Sequence, residues 1–381
     1  MDAAAVKALT IECGFDLAGI ARAEPAPESA YYAEWVRGGM AGEMSYLTGR
    51  RGGVRADPRE LLPSARSIVC AGKLYNGPQP YSTEFTSEER AWISRYAWGG
   101  DYHDVLRAGL ERLAMKLSAS VRFDWKICVD TAPLLERAYA RRAGLGWIGK
   151  NTMLIREGQG SWFFLGELIA SLELDPDSPP PDRCGTCTRC IDACPTAAIV
   201  PTHLPAPAYA LDSRLCISYF TIELRSAIPA GMRPRMGNHV FGCDICQDVC
   251  PWNRCAPVTD APEFLPRPLP EACEPDSPQP ALSAGNSGST ENGNAGESAF
   301  APSLARLAGL TEREFRQLFR NTPVTRARYA GFLRNVAVAM GNGGSECFRP
   351  ALEKLAGHPD SLVREHASWA LTQLGPAPDE A

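Results

Sequence analysis

The sequence predicts a mixed α/β or α+β N-terminal domain, a cysteine-rich module after it, and an all-helical C-terminal part. Three observations carry this prediction. Apolar runs with β-branched residues alternate with helix-period segments over residues 1–175. Two groups of closely spaced cysteines fall within 184–255. Residues 303–376 then change to Ala- and Leu-rich patterns of helical period.

Taken in order, residues 3–13 read as a short helix and "DLAGIAR" (16–22) as the strand after it. "SIVCAGKLY" (67–75) is continuously apolar, as a buried strand is. Val105, Leu106, Leu110, Leu113 and Leu117 recur at helical spacing through 103–120, and "FDWKICVD" (123–130) is strand-like. A helix is expected from Pro133, a residue suited to a first turn, to Gly144. Two strands flank the Gly-Gln-Gly turn at 158–160. "DPDSPPPDR" marks a boundary, so the expected domains are 1–175 and 176–258, a flexible Pro/Gly/Ser-rich linker or insertion at 259–302, and a helical domain at 303–376. Three helical patterns separated by short turns make that last part similar to HEAT repeats, whose stacked pairs bind extended partners. A plain helical cap is the alternative.

The composition is that of a globular protein, 45% hydrophobic and 22% charged. No apolar run approaches the roughly 18 residues of a membrane span, so no membrane association is expected. The acidic start "MDAAAVKALTIECGF" does not resemble a secretory signal. The expected location is the cytoplasm, where the 14 cysteines stay reduced as metal ligands or buried thiols. A net charge of −5 conceals three acid-free basic windows. They hold Arg137, Arg141, Arg142, Lys150 and Arg156; Arg225, Arg233, Arg235 and His239; and Arg316, Arg320, Arg326, Arg328 and Arg334. Together they suit either one phosphate-binding surface or three solvated helix faces.

"CGTCTRCIDACPTAAI" carries the spacing C-x2-C-x2-C-x3-C-P. Zinc ribbons use separated C-x2-C knuckles, whereas this run is the bacterial ferredoxin arrangement for [4Fe–4S] clusters, whose fourth cysteine serves the other cluster. The second group, "CDICQDVCP", lacks a nearby first ligand, and Cys216 upstream supplies it. Cys184, Cys187, Cys190 and Cys250 are therefore expected to hold one cluster, and Cys194, Cys216, Cys243 and Cys246 the other. Cys13, Cys70, Cys128, Cys255, Cys273 and Cys347 stand outside the pattern as buried or incidental thiols.

"VDTAPLLERAYARRAGLGWIGKNTMLI", the two cysteine groups, "LCISYFTIE" and the tail "LRNVAVAMGNGG…LVREHASWAL" resemble the epoxyqueuosine reductase family. The resemblance covers nearly the whole chain apart from 270–300. It implies a cobalamin-binding domain related to reductive dehalogenases, a ferredoxin-like two-cluster module and HEAT-like helices. The implied reaction reduces epoxyqueuosine to queuosine at the wobble position of tRNA anticodons. The implied cofactors are two [4Fe–4S] clusters and cobalamin, fed by an external low-potential donor, and a monomer is expected. The base-off cobalamin motif D-x-H-x-x-G is not met, because "DYHDVL" has Leu106 at the glycine position. The resemblance places cobalamin contacts at Arg55, Arg95, Asp130, Leu154, Ser218 and Asp244, positions that equally suit structural roles. Arg225, Arg235, Arg326 and Arg328 are the expected tRNA contacts.

Opening an epoxide to an alkene takes two electrons and two protons, and the departing oxygen must be protonated. The resemblance gives that role to Asp130. A surface Asp, with a pKa of ~3.9, is ionised at neutral pH, so the role calls for burial that raises it. Asp130 also suits capping of the helix expected near Pro133. The competing readings are a small-molecule reductase of the dehalogenase kind, and a non-catalytic iron–sulfur electron-transfer protein.

Overall fold

The computed structural model describes residues 2–203, 207–270 and 297–376. Its N-terminal sheet contains Leu17–Arg22 (β1), Ser67–Leu74 (β2), Trp125–Cys128 (β3) and Phe163–Ala170 (β4), in the order β1-β2-β4-β3. Every pairing is antiparallel, so the domain is α+β. Helices Ala3–Glu12 (α1) and Tyr102–Ser118 (α2) begin at Asp2 and Asp101, whose carboxylates accept from Ala4 N and His103 N. They cover one face, where Val69, Ala71 and Leu168 meet Val6, Leu110 and Leu113. The other face carries Ile68, Cys70, Cys128 and Ile169 against Ala138, Tyr139 and Ala140 of helix Glu136–Arg142 (α3). Coverage on both faces explains why β2 is continuously apolar rather than alternating.

One expectation is corrected here. The helix near Pro133 starts three residues later, at Glu136, and its N-cap is Leu135 without a side-chain bond. Strands do flank the Gly-Gln-Gly turn as expected, at Leu154–Ile155 and in β4, but each pairs elsewhere. Leu154–Ile155 pairs with Trp147–Ile148, while β4 joins the main sheet. The turn itself is closed by an Arg156–Gly160 bridge. Gly160 has φ +71°, and a Cβ there would lie 2.2 Å from Asn253 Oδ1, the acceptor that ties Ser161 N (2.7 Å) to the cysteine module.

The three expected C-terminal helices are Tyr329–Gly343 (α5), Arg349–Ala356 (α6) and Ser361–Leu374 (α7), with Ile217–Ile222 (α4) in the cysteine module before them. Two short helices, Leu304–Gly309 and Glu312–Leu318, precede α5. The core beneath α5 to α7 is not self-contained, since Trp92, Ile93, Trp98, Ile222 and Phe241 are packed into it. A short parallel pairing of Trp92–Ile93 with His239–Phe241 carries the N-terminal segment there. The linker expected at 259–302 is folded at both ends, where Phe264, Leu269 and Ala299 are buried and Pro268 bridges Ser298. Its remainder, 271–296, lies outside the described residues, as does Cys273.

Arg334, read from sequence as part of a phosphate-binding window, is instead 1% exposed. Its guanidinium donates to Leu224 O (2.9 Å), Ser226 O (2.7 Å), Phe220 O and Asn335 Oδ1. Arg334→Ala leaves buried carbonyls without donors and should cost about 3 kcal/mol in chemical denaturation. A variant as stable as the parent would remove this bracing role.

Candidate active site and metal centre

The cysteine run folds into short turns whose thiols converge. Cys184, Cys187, Cys190 and Cys250 line one cavity of about 330 Å³, closed by Ile155, Pro251 and Trp252. Lys150 Nζ fastens its rim by donating to Gly185 O (2.8 Å) and Cys187 O (2.9 Å). Burial pushes the Cys190 thiol up to about 11, and the Cys250, Cys184 and Cys187 sulfurs push the same way. The other four sulfurs form a second neighbourhood. Cys246 is raised by burial and then by Cys216, Cys190 and Cys194, and Cys243 by burial and then by Cys216 and Cys246. Cys194 thus sits with Cys216 and Cys246, while Cys250 has joined Cys184 and Cys187. Crowded free thiols resist ionisation, and positive iron reverses that. Two sets of four soft donors, one around a cavity, fit two iron–sulfur clusters.

The second sulfur set leads to a separate polar site. Helix α4 follows Cys216 directly and ends at Glu223. Its six residues span about 9 Å at 1.5 Å per residue. Glu223 Oε1 takes Arg326 Nε at 2.6 Å, and Arg326 Nη1 lies 3.8 Å from Asp130 Oδ2. The Arg326 guanidinium also lies 5.2 Å from the Tyr46 ring centre. On its other side Asp130 Oδ2 meets His103 Nε2 at 3.3 Å, and His103 Nδ1 meets Asp101 Oδ1 at 2.7 Å. Asp101 therefore caps α2 and holds the imidazole with the same oxygen.

Burial alone would lower the His103 pKa, but its bonds to Asp101 and Asp130 outweigh it and push it up to about 9. Burial would likewise raise Asp130, yet His103, Arg326 and Tyr102 hold its carboxyl below the usual range. The expected rise is thus corrected: this Asp is an ionised partner of an imidazolium. Its capping role is corrected too. Asp130 has φ +45°, and its own N–H is donated to Glu136 Oε1 on the first residue of α3. The Asp130 side chain is 44% exposed and has Tyr102, His103, Arg326 and Glu136 beside it.

The remaining expected contacts divide. Arg55 is buried and donates to Tyr46 O and Arg51 O (3.3 Å each), bracing the segment that carries Tyr46. The Arg95 side chain donates to Gly77 O (2.7 Å), Gln79 O (2.9 Å) and Pro80 O (3.0 Å). Asp244 accepts from Arg95 N (2.8 Å), Trp92 Nε1 (3.2 Å) and Ser94 Oγ. The Arg95 side chain is committed to the 77–80 loop of its own domain, and the Asp244 carboxylate fastens the cysteine module to residues 92–95. Leu154 is buried in the core beside Cys128 and Leu134, and Ser218 is half-buried on α4.

The basic windows do not merge into one surface. Arg137 donates to Thr152 O, Arg156 to Gly144 O and Leu145 O (3.2 Å each), and Arg141 pairs with Glu28 at 3.1 Å. Arg225 donates to Arg326 O (3.0 Å), and Arg235 to Pro195 O (3.1 Å). His239 is buried with Nδ1 3.0 Å from Met236 O. Arg328 is exposed. The sequence reading missed a different group: exposed Arg50, Arg51, Arg107 and Lys126 around an open cavity of about 480 Å³ beside Val129 and Thr131. Glu60 is the acid in its lining, and among the described residues none of the four cations has an ion pair. It also missed His103, Tyr102 and Glu136. "DYHDVL" held the one sequence signal, a histidine two residues after an N-cap Asp.

Residues 183–253 match the family model of a 4Fe-4S double cluster binding domain, and residues 55–131 match the model described as Epoxyqueuosine reductase QueG, DUF1730. An epoxyqueuosine reductase from Xanthomonas campestris pv. campestris is 40% identical over 98% of this chain and 96% of its own. One from Pseudomonas aeruginosa is 40% identical over 96% and 92%. A crystal structure of epoxyqueuosine reductase with an epoxyqueuosine-modified tRNA-Tyr stem loop aligns at TM-score 0.79 and 29% identity, covering 98% of this chain and 90% of that one. A Bacillus subtilis epoxyqueuosine reductase with its catalytic aspartate loop swung out of the active site aligns at TM-score 0.77 and 28% identity, with the same coverage.

Proposed function

This chain belongs to the epoxyqueuosine reductase family, and on that premise we propose that it reduces epoxyqueuosine to queuosine in tRNA at the site around Asp130. The observation that carries the reading is the Asp101–His103–Asp130–Arg326 array, one short helix from Cys216. An electron-transfer scaffold has no use for an acid array at that place.

Cys184, Cys187, Cys190 and Cys250 hold one [4Fe–4S] cluster, and Cys194, Cys216, Cys243 and Cys246 hold the other. Tyr46, Glu223, Arg326 and Ser218, with the backbone near Leu154 and Asp244, would hold cobalamin beside Asp130. When bound it supplies a cobalt centre that passes electrons to the substrate. Both His103 ring nitrogens face carboxylates, so the imidazole belongs to the acid array. The His103 imidazolium keeps a proton at Asp130 Oδ2, where the opening epoxide oxygen is to receive it. Arg326 stabilises the negative charge that develops on that oxygen. Glu223 and Tyr46 keep the guanidinium in place.

The tRNA lies with its phosphates on exposed cations and its modified base turned into that site. Arg50, Arg51, Arg107 and Lys126 are proposed as the main phosphate contacts, joined by Arg328, while Arg225, Arg235 and Arg326 contribute on the Asp130 side. The C-terminal helices, read as HEAT-like, support that face. A small-molecule reductase would not need such cations. The chain functions in the cytoplasm, as a monomer; among the described residues no helix is long and apolar enough to cross a membrane.

The test is anaerobic reconstitution followed by a nucleoside assay on epoxyqueuosine tRNA, with queuosine as the expected product. Stem-loop affinity should fall steeply with salt. Arg50→Ala with Arg51→Ala should weaken it roughly tenfold while cofactor spectra stay unchanged. Salt-independent binding would remove the phosphate-contact role.

A further inference from the structure

Behind the Asp130 loop lies a pair of carboxyls, buried Glu167 and half-buried Glu136, that the reaction as described does not use. Glu167, in the middle of β4, is 0% exposed and stands in register between Cys70 of β2 and Cys128 of β3. Among the described residues no N–H or O–H group donates to either of its carboxyl oxygens. Its carboxyl neighbour is Glu136, within hydrogen-bonding reach. Two carboxylates cannot hydrogen-bond to each other, and an unpaired buried anion is expensive, so the contact requires a proton. Glu136 in turn accepts the Asp130 N–H, across a turn in which Asp130 adopts φ +45°. A non-glycine residue keeps that conformation only when its surroundings hold it.

We propose that Glu136 and Glu167 are positioning residues for the reactive loop: they share one proton, and Glu136, oriented by Glu167, anchors the Asp130 amide so that the Asp130 carboxyl faces His103 and Arg326. The proposal rests on the reading of Asp130 as the reactive group. Burial first, and then Asp130, raise the Glu136 carboxyl; burial and Glu136 raise Glu167. Asp130 from the loop, His103 and Tyr102 from α2, Arg137 from α3, and the Cys70 and Cys128 thiols are the other titratable groups facing the pair. Two raised carboxyls keep a proton that unfolded glutamates, near ~4.3, have lost at neutral pH. The folded state therefore binds more protons, and the anchor weakens as pH rises.

The experiment uses the holoenzyme and has two readouts that do not depend on turnover. Infrared spectra at neutral pH should show a protonated-carboxyl band that Glu167→Gln removes. Amide exchange by mass spectrometry should show the peptide covering 129–135 protected in the parent and in Glu167→Gln, whose amide still donates to Glu136. Glu136→Ala should speed that exchange roughly tenfold or more and lower kcat with stem-loop affinity unchanged. Glu136→Gln, which keeps a carbonyl acceptor, should restore most of the protection and rate. A parent without the infrared band, or a Glu136→Ala variant with parental exchange, overturns the proposal. Failure of Asp130 itself as the reactive group would appear separately, as full turnover in Asp130→Asn.

Discussion

Asp130→Asn should keep both clusters, cobalamin and stem-loop affinity, yet lower conversion by roughly a hundredfold or more, the scale of a lost general acid. The variant keeps size and the backbone N–H that Glu136 holds, and removes the carboxylate that His103 and Arg326 face. Because these two cations hold Asp130 below the usual carboxylate range, the proton is not stored on a burial-raised Asp; it is held by the imidazolium. The donor form of His103 is complete well below its raised value of about 9 and is lost as pH rises through it. Conversion should therefore decline on the alkaline side, and His103→Gln should be slow at every pH. The same bonds stabilise the fold fully below the unfolded value of ~6.5, and that contribution disappears as pH passes the raised one. Parental rates in Asp130→Asn would assign the proton to water or another residue. Loss of cobalamin in that variant would make Asp130 architectural.

What was legible in the sequence followed the range of the interactions. The strands and helices around β2, α2 and α5 show their periods within a few residues, and the cysteine spacing is local chemistry written in one stretch. Sheet order is not local: β4 lies between β2 and β3 because of burial on both faces, which no single segment displays. The acid array draws Asp101 and His103 from one helix end, Asp130 from a loop and Arg326 from the C-terminal third. Sequence marked Asp130 and Arg326 separately, and showed His103 only within a cofactor motif that is not met. Basic windows misled for a related reason. Runs without acids say nothing about carbonyl acceptors, and Arg137, Arg156 and Arg334 found theirs inside the protein. The bare cations at 50, 51, 107 and 126 are dispersed in sequence and meet only at the cavity.

The second large effect concerns Cys194, whose closest cysteines in sequence and in space differ. It follows Cys184, Cys187 and Cys190 in one run, yet its sulfur raises Cys216 and Cys246. Cys190 is raised by burial and then by Cys250, Cys184 and Cys187, and it lines their cavity. Thr188 and Arg189 accept the bonds that wind the chain into a short turn, from Asp192 N (3.0 Å) and Ala193 N (3.0 Å), and this carries Cys194 off the first cavity. Cys194→Ala should accordingly lose the cluster beside α4 and leave the one around the 330 Å³ cavity, with iron falling to about half. Cys187→Ala should lose the opposite cluster, so the two variants are expected to leave different residual electron-spin signals. The α4 cluster is the one a short helix away from Glu223 and Arg326, so its loss should nearly abolish turnover with a protein donor. A strong soluble reductant that reaches the Asp130 site directly should restore part of that turnover in Cys194→Ala. Identical residual signals from the two variants would mean that each sulfur serves the cluster of its sequence neighbours, and the crossed assignment would fall.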